Sequence, residues 1–341
     1  MAAEVKLFDC LEAVTEDAAG MLDRAATLSL FDRLAWFRLT LAHCPPPGRL
    51  LVARAAEGQA RAWLFLAEDK GAARALASWY TLDFGAIVQR ADPAQERTLL
   101  AALATKLRSA PPRLGRIELA PLSRPAALEA ALRQAGWLVR PNAATTNWRV
   151  RVAGVTFDEY WAHRPGRLRE TVRRHAARAA LETVVYRCFD ATAWAEYEQV
   201  YAASWKPEEG SRAFLRDLAV TEGAAGTLRL GIARKDGIAV AAQLWLVENG
   251  TATIHKLAHV EAARVLSPGT LLSAAMFRHV IDGDTPEWID FGTGDDAYKA
   301  DWMDERRTLY RIEAFNPASL AGLAAAAHTG LGSLARRLRS D

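Results

Sequence analysis

Apolar positions along the chain alternate between two periods. Residues 22–41 carry them at helical spacing until the run CPPPG at 44–48 breaks it. Residues 50–55 and 60–67 alternate as two strands across a turn at Gly58. Residues 75–88, centred on Trp79 and Tyr80, predict a strand and a bend. A helix is expected over 93–108, with Leu99, Leu100, Leu103 and Leu107 on one face. A strand at 116–120, a helix at 125–134 closed by Gly136, and a strand at 137–139 complete this half.

The second half begins near Asn147. Residues 157–163 are short and aromatic, and 167–181 form a strongly basic helix. A strand at 183–189 and helices at 191–204 and 211–221 follow. Strands at 228–234 and 238–247 meet at the hairpin dipeptide Asp236–Gly237. After them come a strand (252–260), a helix (269–281), a strand (288–291), a short helix (297–303) and a last strand (308–315). The segments RIELA (116–120) and EWIDF (287–291) lie about half a chain apart, and each precedes a helix and then a strand. This weak repeat predicts an α/β (α+β) chain of two similar lobes, 1–150 and 151–317. Each lobe is expected to hold a mixed, mostly antiparallel sheet flanked by helices. Residues 318–341 predict a terminal amphipathic helix, with Leu320, Leu323, Ala327, Leu331, Leu334 and Leu338 in one stripe and Arg336, Arg337 and Arg339 closing it.

Composition narrows the classes. The 341 residues suffice for two domains, and 51% apolar against 24% charged is a globular balance. A net charge of +3 lacks the clustered excess of a nucleic-acid binder, so no nucleic-acid partner is expected. Cys10, Cys44 and Cys188 form no CxxC pair and no zinc spacing, which fits reduced thiols, a cytoplasmic setting and no metal. The N-terminus has no signal-peptide pattern, and no stretch of 18 apolar residues spans a bilayer. A basic amphipathic tail fits either a membrane interface or packing on a lobe, so contact with the inner membrane face stays open. No G-x-S-x-G elbow, P-loop or complete dinucleotide fingerprint is present.

The densest chemistry lies in residues 290–299 (DFGTGDDAYK), a glycine-bracketed loop at a carboxyl strand end. Such ends hold ligands in open α/β sheets. Asp290 and Asp295 are candidate proton acceptors, Tyr298 is a donor to a leaving group, and Lys299 is a further catalytic candidate, with pairing to an Asp as its alternative. His255 and Lys256 share one strand, where His255 is a candidate base and a structural hydrogen-bonder is the alternative. Gln243 is polar inside an apolar strand, where it is a candidate ligand contact or satisfies a neighbouring backbone group. Arg173 and Arg174 belong to the basic helix and suit anionic groups. Trp79, Tyr80, Trp205 and Lys206 are the candidate substrate wall.

The order of 228–247 (LRLGIARKDGIAVAAQLWLV), IHKLA, LSPGTLL and DFGTGDDAYKADW resembles the large bacterial group of the GNAT superfamily. That group includes the cellulose-biosynthesis-associated acetyltransferases and is related to the Fem-type aminoacyl transferases. The likeness covers residues 158–315 well and the first half loosely. It implies an acyl thioester lying between splayed strands, with the phosphates of coenzyme A at a turn before a helix. Here that turn is Ser267, Gly269 and Thr270, with only Gly269 matching the usual glycine pattern. The implied donor is a coenzyme A thioester or the phosphopantetheine of an acyl carrier protein. The implied acceptor is a primary amine, and a lipid amine acylated as in bacterial ceramide synthesis is the specific expectation. A Fem-type enzyme using aminoacyl-tRNA to extend a peptidoglycan peptide is one rival, although no coiled-coil arm is visible. A non-catalytic scaffold in envelope polysaccharide synthesis is the other.

Overall fold

The structure, a computed structural model, describes residues 3–111 and 113–337, apart from the side chains of 330–337. The chain divides into two compact units, one of Met1–Thr145 with Thr308–Asp341 and one of Thr146–Arg307.

The first unit opens with β1 (Glu4–Phe8), α1 (Leu11–Ala18) and α2 (Leu34–His43). The expected helix over 22–41 therefore starts only at Leu34. Upstream, Thr27 Oγ1 donates to the Asp23 carbonyl and Ser29 Oγ accepts from the Phe31 amide, so local side-chain bonds compete with the helical ladder. The strands β2 (Arg49–Glu57), β3 (Ala60–Asp69), β4 (Ala72–Ala75) and β5 (Ile87–Gln89) follow. Then come α3 (Pro93–Ser109), β6 (Arg116–Leu122), α4 (Ala126–Gln134) and β7 (Leu138–Arg151). β7 is far longer than the strand expected at 137–139 and carries the chain into the second unit.

The second unit contains α5 (Phe157–Ala162), α6 (Gly166–Ala179), β8 (Glu182–Tyr186), α7 (Ala191–Ala202) and α8 (Arg212–Ala224). The strands β9 (Leu228–Lys235), β10 (Ile238–Glu248) and β11 (Thr251–His259) lead to α9 (Pro268–His279) and β12 (Trp288–Thr293). A 3₁₀ turn at Ala297–Asp301 precedes β13 (Glu305–Phe315), which returns the chain to the first unit, where α10 (Leu320–Arg337) ends it.

Each unit is built on a mixed sheet. In the first, β1, β2, β3 and β4 pair antiparallel in that order, β5 adds to β3, β6 runs parallel to β4, and β13 pairs antiparallel with β6. In the second, β8, β9, β10 and β11 are antiparallel neighbours, β12 runs parallel to β11, and β7 pairs antiparallel with β12. The plans match: an antiparallel run, a helix (α3 or α9), then one strand parallel to the last. The parallel ladder is three residues long in both, Ala72–Arg74 on 116–118 and Thr251–Thr253 on 288–290. RIELA and EWIDF thus occupy corresponding strands. The hairpin at Asp236 and Gly237 forms as expected, both residues at positive φ (51° and 79°).

Each unit has its own core. Phe37 stacks on Phe65 at 3.8 Å beside fully buried Trp36, Trp63 and Tyr80 in the first. In the second, Trp245, Phe277, Trp302 and Tyr160 pack between α9 and the sheet. α10 packs on its unit through residues such as Gly322 and Thr329, whose carbonyl accepts from Arg140. Leu320 and Leu323 of its apolar stripe are 88% and 45% exposed, so the stripe faces outward over its described part. Leu338 and Arg339 of the expected stripe lie outside the described residues, as do the side chains of Leu331, Leu334, Arg336 and Arg337. Among the described residues no helix is long and apolar enough to cross a membrane, and no three His, Cys, Asp or Glu side chains gather as metal ligands.

Candidate functional site

The site grows from the parting of β11 and β12. Their ladder stops at Thr253 and Asp290, while β11 runs on to His259 paired with β10 alone. On that stretch β10 pairs Leu244 with Lys256 and Trp245 with Ile254, which leaves His255 as the extra residue of a bulge. A bulge turns backbone groups out of the regular ladder and is a frequent neighbour of active sites. α9 begins beside this parting. Ser267 precedes it in the left-handed region (φ 54°) and makes no side-chain cap. Pro268 has no N–H, so Gly269 and Thr270 carry the open amides of the first turn until Leu271 bonds back to Ser267. Two convergent N–H groups at a helix start suit a phosphate.

Gly269 is closely approached by a neighbouring side chain. A Cβ there would stand 3.0 Å from His259 Nδ1. The His259 ring packs on Trp205 with centroids 4.2 Å apart, and Lys206 Nζ lies 5.7 Å from the Trp205 ring. The loop after α7 thereby reaches the start of α9, secured by the Glu261 amide donating to the Ala203 carbonyl. Gln243 stands behind that start. Its amide donates to Ser273 Oγ at 2.8 Å and accepts from Trp245 Nε1 at 2.9 Å, and it is 1% exposed. It fastens α9 to the sheet from within the core, which corrects its reading as a ligand contact.

Three lysines meet at the mouth of the parted strands. Lys256 donates to Glu209 at 3.0 Å, Glu209 also accepts from the Tyr201 phenol, and burial and then Glu209 push that phenol up to about 12. Lys299 is almost fully buried, and Nζ donates to the Thr293 carbonyl at 2.7 Å and lies 3.7 Å from Asp296. Its ammonium is held below the usual lysine range, chiefly by burial. Lys206 is depressed further, to about 8, by burial first and then by Lys256, against the pull of Asp296. Tyr298 packs edge-on to Phe291 at 5.6 Å, is 40% exposed, and is held well above the ordinary phenol range by burial and Asp296. Tyr298 is therefore a protonated phenol at neutral pH.

Other expected participants are otherwise engaged. Asp290 accepts from Asn147 Nδ2 at 2.6 Å and from the Gly292 amide at 2.8 Å, with Arg307 3.4 Å away. Asp295 is exposed and held by Arg306 and by Trp148 Nε1, which lowers its carboxyl. Both carboxylates are thus engaged by neighbouring donors. Burial, then Lys256, pushes the His255 imidazole down to about 3, so it is neutral and very weakly basic. Its bulged backbone, rather than its ring, addresses the parting strands. Arg173 pairs with Glu170 on the exposed face of α6, where Arg174 is also exposed, and α6 itself packs on α9. Trp79 and Tyr80 belong to the first unit. Tyr80 is 2% exposed in its core, which corrects its reading as a substrate contact, while Trp79 is 60% exposed.

Glu209, Tyr201 and His259 were invisible to the pattern. Glu209 sits in the turn-forming run KPEEG, and only its tertiary partner Lys256 marks it. His259 closes a strand and is fixed by Trp205, a contact between distant segments.

Comparison with known proteins gives a partial family match and a fold. Residues 166–300 match the family described as acetyltransferase (GNAT) domain. No curated protein sequence matches the chain. Among solved structures, the C-terminal domain of a putative lysylphosphatidylglycerol synthetase from Agrobacterium fabrum superposes with a TM-score of 0.53 at 18% identity, covering 79% of this chain and 85% of that one. A conserved protein of unknown function from Bacteroides thetaiotaomicron gives 0.57 at 11% identity, covering 92% and 100%. FemX gives 0.53 at 11% identity, covering 81% and 94%. At these identities the likeness concerns the fold. The matched segment lies within the second unit, contains α6, β11 and α9, and ends within the lysine-bearing turn.

Proposed function

We propose that the protein is an N-acyltransferase that joins an acyl thioester to a primary amine at the parting of β11 and β12. The observation that carries this reading is that parting itself, flanked by the His255 bulge and by the open Gly269 and Thr270 amides. A thioester arm laid along the released edge of β11 takes the place of a strand partner, and its phosphate meets the helix start. The amine nitrogen attacks the thioester carbon, and the carbonyl oxygen gains the negative charge. Backbone N–H groups at the bulge stabilise it. Collapse breaks the carbon–sulfur bond, the amide forms, and Tyr298 gives its proton to the thiolate. Neutral Lys206 takes the proton that the amine loses.

Coenzyme A and a carrier-borne phosphopantetheine both present such an arm. Two open amides suit one phosphate, and the exposed arginines of α6 beside α9 suit an acidic carrier. A long-chain or lipid amine is the proposed acceptor. Its support is the outward apolar stripe of α10, which fits delivery from a membrane surface. Purified protein with acyl-CoA or acyl carrier protein and a panel of amines, sphingoid bases included, tests the reading by mass spectrometry. An N-acyl product is expected, and none from any pairing with folded protein would refute it.

A further inference from the structure

The first unit holds a cavity of about 700 Å³ at the carboxyl end of β6, between the bend after β4 and the starts of α3 and α4. That volume is in the range of small-molecule sites. Its place corresponds to that of the site in the second unit, just past a three-residue parallel ladder and beside the following helix. Its chemistry is the opposite. α3 begins with a closed capping box, Asp92 accepting from the Ala94 and Gln95 amides while Gln95 accepts from the Asp92 amide, so no open N–H awaits a phosphate. The ionisable lining is Asp32, Asp83, Glu96 and Arg124, three carboxylates to one guanidinium. The remaining wall is largely apolar, with Leu28, Phe84, Ile87, Val88, Leu100 and Leu128.

The wall is fixed in place. Asp83 accepts from the Ser123 hydroxyl at 2.6 Å and from the Ser123 amide at 2.9 Å, which ties the bend to the end of β6. The Phe84 amide donates to the Pro121 carbonyl, and Gln89 donates to the Ala26 carbonyl. Asp32 differs from Asp83. Burial and then Asp83 raise its carboxyl to about 6 despite Arg124 and Arg33. A partly buried carboxylate beside another is relieved by a cation.

We infer that this cavity binds an alkylammonium ion, with the ammonium between Asp32 and Asp83 and the alkyl chain along the Leu28, Phe84 and Leu100 wall. The site goes beyond the acyl-transfer reading, since binding can be measured whether or not the chain transfers an acyl group. The probe is octylammonium, titrated calorimetrically into the full chain at neutral pH, with octan-1-ol and octanoate as controls. Submillimolar binding is expected, with both controls at least about tenfold weaker. Asp32→Asn should weaken it by at least about tenfold. Ala127→Trp, on the exposed rim of α4, should do the same by filling the mouth, with the melting temperature held. No saturable binding by folded protein would overturn the inference. So would equal binding of either control, or full affinity in both variants.

Discussion

Lys299 Nζ lies 2.7 Å from the carbonyl oxygen of Thr293, six residues earlier, and so closes the loop that links β12 to the lysine-bearing turn. The loop turns at Gly294, whose φ of 107° admits a glycine and where a Cβ would stand 3.3 Å from that same Nζ. Buried ammonium and buried carbonyl satisfy each other. Lys299→Met should therefore orphan the carbonyl and cost about 1–3 kcal/mol, read as a lowered denaturant midpoint with unchanged m-value. An unchanged midpoint would show that the loop does not rest on this bond.

As the proposed base, Lys206 should govern a pH dependence. Only the neutral amine accepts a proton, and its fraction grows as pH rises toward about 8. The kcat/KM for amide formation should climb between about pH 6.5 and 8.5 and then level. Glu209→Gln removes a charge that raises Lys206 and should move the climb to lower pH. Lys206→Met should abolish the climb. An identical limb in Lys206→Met would remove it as the base.

His255 sets an acid limit on stability. Its folded pKa of about 3 lies below the ordinary value of 6.5, so between these values the unfolded chain binds a proton that the folded chain refuses. Stability should be intact above about pH 6.5 and fall steadily as pH drops toward 3. His255→Gln should flatten that slope in urea melts at pH 4, 5 and 7. A slope equal to that of the unsubstituted protein would mean that other groups set the limit.

Gly269→Ala addresses the donor end. The added methyl meets His259 Nδ1 at 3.0 Å, so the ring and its Trp205 partner must move. A several-fold rise in KM for the thioester is expected, with kcat reduced less, because in the proposed reading the helix start binds the donor without entering the chemistry. Equal KM values would place the donor's phosphate elsewhere.

Much of the fold was legible because periodicity reports burial directly. The hairpin at Asp236 and Gly237 was readable because a two-residue turn demands positive φ. The span 22–41 misled because its apolar spacing continues through Thr27 and Ser29, whose side chains bond to nearby backbone. β7 was underestimated because its polar and half-buried residues lack a clean alternation.

The sequence alone determined which segments carry chemistry. It singled out the loop at 290–299, the turn at 267–270 and the lysines, because ionisable groups and glycines cluster there at strand ends and a helix start. Tertiary structure decided what each group can do, since protonation and reach depend on neighbours from distant segments. Asn147 and Arg307 take up Asp290, burial silences the His255 ring, and burial followed by the nearness of Lys256 lowers the Lys206 ammonium into the working pH range. Those effects come from desolvation and charge proximity in three dimensions, quantities that spacing along a chain does not encode.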